Sequence, residues 1–138
     1  AQPARNATPS PQAHRRLVAA LRAAVDTGDT ASLVGLLRED AVLVVDVSGD
    51  LPAPRRPVVG AARVRRFFAG IHEQGMPGLE ATQVEVNGEP GLLFHVGDEP
   101  LYLVSNTADA EGRMRLALGV GGPRKLAYAR RQRIRLPA

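Results

Sequence analysis

Apolar positions near the start of the chain fall at helical spacing. Leu17, Leu21, Ala24 and Val25 share one face of the run from Gln12 to Asp26. Ser10-Pro11 suits a helix start, with serine as N-cap and proline in the first turn, and Thr27-Gly28 is a stop. Asp29 or Thr30 can cap a second short helix with Leu33, Leu36 and Leu37 on one stripe, closed by Arg38-Glu39-Asp40. Ala41–Val47 is β-branched and short, which predicts a strand. Ser48-Gly49-Asp50 is a turn, and the three prolines between Leu51 and Pro57 make an irregular, extended stretch. Val64, Phe67, Phe68 and Ile71 predict a third helix over about Ala61–Gln74.

Beyond Gly78 the period switches to that of strands. Leu79–Val86, Gly91–Val96, Leu101–Thr107 and Met114–Val120 alternate, separated by Asn87-Gly88, Gly97–Pro100 and Asp109–Gly112. Three hairpin connections in a row predict an antiparallel meander. Helices segregated from such a sheet define an α+β domain, expected here as a curved antiparallel sheet on three N-terminal helices. That arrangement would enclose an apolar cavity, a usual place for a ligand.

Charge changes the picture in one place. The 138 residues hold 18 basic and 14 acidic side chains, net +4, with a pI of about 10.6. All 14 acids and 12 of the basic residues precede Arg124; the other six basic residues lie between Arg124 and Arg135. The body is thus slightly acidic and the basicity belongs to a tail. Such a tail attracts phosphates, but Tyr128 is its one aromatic residue, too few for a base-stacking platform. Absence of cysteine excludes disulfides, thiolate metal sites and a thiol nucleophile. His14, His72 and His95 show no ligand spacing, so no metal is expected. The Gly119–Lys125 run fails both phosphate-loop patterns and reads as a glycine-rich exit from the last strand. No apolar run is long enough to span a membrane. Residues 1–12, with three prolines, read as linker; 13–128 are expected to form the domain and 129–138 a basic tail.

Several elements occur in an order that resembles a known family. They are His14-Arg15-Arg16-Leu17, Gly28-Asp29, Leu36-Leu37, Asp40–Leu43, Asp46–Asp50, Arg56-Pro57-Val58, Gly60, Phe67, Val86-Asn87-Gly88, Pro90-Gly91-Leu92 and Pro123–Leu126. The series resembles the SnoaL-like branch of the cone-shaped nuclear-transport-factor-2-like and ketosteroid-isomerase-like fold. It is similar above all to the SnoaL-like domain at the C-terminus of certain extracytoplasmic-function sigma factors. That resemblance implies a non-catalytic regulatory domain of a cytoplasmic RNA polymerase sigma factor. Its partners would be the sigma-factor core regions in cis and RNA polymerase. It would meet DNA only indirectly, need no cofactor and touch no membrane. Homodimerisation through the open sheet face is a further expectation.

Two family elements would carry the regulatory contact. Asp46, Ser48, Gly49 and Asp50 stand where the family has an Asp-Gly-Gly-Gly-Lys turn, and Pro123, Lys125 and Leu126 match part of its Asn-Pro-Asp-Lys-Leu element. This chain departs by inverting a charge in each, with Asp50 for lysine and Arg124 for aspartate. The alternative is a ligand-binding or isomerase-type or cyclase-type protein, with Asp46 as base and His95 or Tyr102 as hydrogen-bond donor. Alternation opposes it: His95 is out of phase with Leu92 and Phe94, and Tyr102 with Leu101 and Leu103, which are the expected core.

Overall fold

The computed structural model describes residues 9–129 and 134–135. Helix α1 spans Pro11–Thr27, with Ser10 Oγ accepting from the Ala13 N–H and Gly28 closing it in a left-handed conformation. Strand β1 is Leu37–Val47, β2 Val58–Val59, and helix α2 Ala61–Gln74. Strands β3 (Leu79–Val86), β4 (Glu89–Val96), β5 (Glu99–Ala108) and β6 (Met114–Gly121) follow. Helix α3 is Pro123–Ala129, and β7 is Ile134–Arg135. The basic stretch from Arg124 to Arg135 therefore begins in a last helix, and two residues of the tail proper pair with Glu85 and Val86 of β3.

The sheet order is β2-β1-β6-β5-β4-β3-β7. The α+β class and the β3–β6 meander stand, and Asn87 and Gly88, both at positive φ, make the tight turn expected of them. Two details differ. The sheet is mixed, because β1 runs parallel to β6, from Val42 opposite Leu116 to Val47 opposite Gly121. The second helix is a single 3-10 turn, Ala31–Leu33. Gly35, at φ +85°, breaks the helix, and the Leu36 carbonyl accepts the Met114 N–H at 2.8 Å, so Leu37 is already strand. Pairing with β6 outweighs the local helical stripe of Leu33, Leu36 and Leu37.

Both faces of the sheet bury side chains. The inner face, under α1 and α2, holds Leu37, Leu43, Ala81, Leu92, Phe94, Val104 and Ala117, packed with Leu17, Leu21, Val64 and Phe68. On the outer face a smaller cluster joins Val84, Val86 and Leu103 to Leu126 of α3. A buried polar pair ties α1 to β5: His14 Nε2 donates to Asn106 Oδ1 at 2.6 Å, the only role open to a ring nitrogen facing a carbonyl oxygen.

Candidate functional site

Parallel pairing of β1 with β6 brings the two family elements into one junction. Asp46 lies opposite Val120 and Val47 opposite Gly121, so the turn after β1 and the start of α3 leave the sheet side by side. The Ser48 N–H donates to the Gly121 carbonyl at 2.9 Å. Ser48 Oγ accepts the Arg124 N–H at 3.3 Å. Lys125 Nζ sits 2.9 Å from Asp46 Oδ2. The Gly122 N–H donates to the Leu101 carbonyl and its own carbonyl accepts from Leu126. Leu126 anchors α3 in the outer cluster. Asp50 and Gly49 stand exposed beside this contact. The two segments expected to carry the regulatory contact, some 75 positions apart in sequence, are thus neighbours, joined through Asp46–Lys125 and Ser48–Arg124, with Leu126 buried beneath them.

The Asp46–Lys125 pair is 58% and 42% exposed, so it orients the junction more than it stabilises it. A double-mutant cycle of Asp46→Asn and Lys125→Met is expected to give a coupling of about 0.5 kcal/mol, weakening in high salt. Urea titrations of the four species measure it.

The inner face carries a cavity of about 570 Å³ between α2, the sheet and the loop Pro52–Pro54. Its walls include Leu43, Val45, Phe67, Phe68, Ile71, Met76, Leu79, Phe94 and Val104. Tyr102 is the buried-side polar group. Its hydroxyl donates to the Pro52 carbonyl at 2.7 Å, and its ring meets Phe94 edge-on at 6.4 Å. Burial pushes the Tyr102 phenol up, which keeps it protonated as a donor.

The three catalytic candidates are not assembled. Asp46 lies on the outer face, away from the cavity, and faces Lys125. His95 is turned outward too: Nε2 is 2.7 Å from Thr82 Oγ1 and Nδ1 donates to the Gly97 carbonyl at 2.9 Å. Tyr102 alone reaches the cavity. This corrects the phase expected on β5. Tyr102 pairs directly with Phe94, so it is Tyr102 and Val104 that face the helices, while Leu103 faces Leu126. Apolar alternation misled here because α3 covers the outer face, so both faces of β5 are apolar. Among the described residues neither a carboxylate nor a histidine lines the cavity.

A further polar constellation, unflagged by sequence motifs, is the Asp109 turn. Asp109 is 8% exposed. Its Oδ1 accepts the Glu111 and Arg113 N–H groups at 3.0 and 2.9 Å, and its Oδ2 faces Arg113 Nε and Arg38. Burial opposes the charge, but the Arg113 N–H and guanidinium, the Glu111 N–H and Arg38 together hold the carboxyl below its ordinary value. It clamps the β5–β6 turn to β1.

No family model matches the chain. Its sequence is 39% identical over 93 residues to the ECF RNA polymerase sigma factor SigJ of Mycobacterium tuberculosis, a match covering 66% of this chain and 30% of that protein. The crystal structure of SigJ superimposes with a TM-score of 0.62 and 27% identity over 83% of this chain and 44% of the other. A putative isomerase of the SnoaL-like family from Agrobacterium tumefaciens superimposes with a TM-score of 0.58 at 14% identity, covering 81% of this chain and 99% of that one. The chain has the SnoaL-like, nuclear-transport-factor-2-like fold. A de novo designed protein with a curved β-sheet shares the fold of this SnoaL-like domain at a TM-score of 0.57 and 14% identity, over 87% of this chain and 93% of the other. The domain spans less than half the length of SigJ. Among its described residues no helix is long and apolar enough to cross a membrane.

Proposed function

We propose that this SnoaL-like domain is a non-catalytic regulatory module of a cytoplasmic extracytoplasmic-function sigma factor. Residues 13–128 form the module, joined by Pro11 and Gln12 of the first helical turn; what precedes is a linker, and 129–138 a basic tail of which Ile134–Arg135 return to β3. It acts on transcription initiation through contact with the sigma-factor core regions and RNA polymerase, and on DNA only through them. The observation that supports this reading is the junction, where Asp46 pairs with Lys125 and Ser48 with the Arg124 N–H, while Gly49 and Asp50 stand exposed in the same turn and Leu126 anchors α3 from below. Similarity to SigJ supports the sigma-factor assignment. A cavity lining without carboxylate or histidine among the described residues favours regulation over catalysis. Asp50 and Arg124 imply a partner surface of altered charge.

The test uses the full-length protein and a promoter-driven reporter. Deleting residues 124–138, or substituting Asp50→Lys, is expected to change promoter output several-fold while the protein level holds. Unchanged output for both overturns the proposal.

A further inference from the structure

We propose that the inner cavity binds a monocarboxylate with an apolar body, and that its occupancy is relayed through Tyr102 to the junction. The binding claim stands apart from the transcriptional reading; only its consequence for sigma-factor regulation rests on it.

The cavity's 570 Å³ lies within the roughly 300–1,000 Å³ usual for small-molecule sites. Two glycines keep it open without a backbone reason. Gly70 sits inside α2, where glycine is less favourable than alanine by about 1 kcal/mol. A Cβ there would meet nothing within 4 Å. Gly119 lies inside β6, and a Cβ there would rest at ordinary contact, 3.5–3.7 Å from Val45 and Val104. Neither needs positive φ. Both line the cavity, so a side chain at either would occupy the space. Close packing is the norm in interiors, and here the chain keeps a void at a cost in helix propensity.

The polar groups define the ligand's head. Arg66 and Gln74 line the cavity and are exposed, which puts them at the rim, one turn either side of Gly70 on α2. With a guanidinium and an amide at the mouth and no carboxylate in the described lining, the site favours an anionic oxygen head over a cation. The apolar walls take the body.

Tyr102 connects this space to the junction. Its hydroxyl holds the loop through the Pro52 carbonyl, two residues beyond Asp50. Its ring lies against Gly121, where a Cβ would stand 2.7 Å from Tyr102 Cδ2. The neighbouring Leu101 carbonyl takes the Gly122 N–H. A ligand body seated against the Tyr102 ring shifts that ring, which backs Gly121, and with it the hydroxyl's hold on the Pro52 loop.

Isothermal titration of the full 138-residue chain with dodecanoate, kept below micelle formation, tests the site, with dodecylammonium as the cationic control. Saturable one-to-one binding of dodecanoate is expected, at least tenfold weaker for dodecylammonium. Gly70→Leu should abolish binding without lowering the melting temperature, and Arg66→Gln, on the exposed rim, should weaken it about tenfold. Absence of saturation, equal binding of both amphiphiles, or full binding by both variants overturns the site. Amide exchange at Gly122 and Arg124 reads the relay: protection is expected to change at saturating dodecanoate, and unchanged protection overturns the coupling. Because these readouts use the chain alone, their failure is separable from that of the promoter assay.

Discussion

Gly122→Ala is expected to destabilise the domain by about 3 kcal/mol and to unseat α3 from the sheet. Gly122 has φ +88°, a conformation that disfavours any Cβ. A Cβ there would also be driven into the Ser48 carbonyl oxygen. Relief requires moving the Ser48 backbone, which breaks its bond to Gly121 and removes the hydroxyl from the Arg124 N–H. Gly49→Ala is the matched control. Gly49 also has positive φ, +77°, but a Cβ there meets nothing within 4 Å. Its loss should be limited to the backbone term, about 1 kcal/mol. Urea unfolding of both variants measures the difference. Equal losses would mean that the approach of Ser48 to Gly122 contributes nothing.

Asp109→Ala is expected to lower stability by about 2 kcal/mol, most of it from two charge-assisted bonds to the Glu111 and Arg113 N–H groups. The guanidiniums of Arg38 and Arg113 are 35% and 44% exposed, so water screens their share. The pH dependence has a defined sign. Since the folded carboxyl is held below its ordinary value of 3.8, the ionised form favours the fold. That contribution is complete above the unfolded pKa and is lost as pH falls below about 4 and through the folded pKa. Thermal melts of wild type and Asp109→Asn should therefore differ by a constant amount from pH 7 down to about pH 5 and converge below it. A gap that widens in acid would contradict this sign.

Much of the fold was legible in the residues. Ser10-Pro11 and Gly28 bound α1 because capping chemistry is local. Leu79–Val86 and Asn87-Gly88 predicted β3 and its turn because alternation and positive φ are local demands. Leu33, Leu36 and Leu37 misled because their stripe suits a helix while Leu37 is claimed by Met114, 77 residues away. Tyr102 misled because alternation reports which residues share a face, and cannot say which face lies under the helices when both are covered.

The sequence by itself determined α1, α2 and the β3–β6 meander, the α+β class, the concentration of charge after β6 and the two family elements whose residues meet at the junction. Each depends on interactions within a few residues or on residue type alone. Tertiary structure decided that β1 runs parallel to β6, which joins those elements; that Asp46 faces Lys125 instead of the cavity; and that Tyr102 faces inward. These are outcomes of strand pairing between distant segments, where a shift of one residue reverses every side chain, and no local pattern carries that choice.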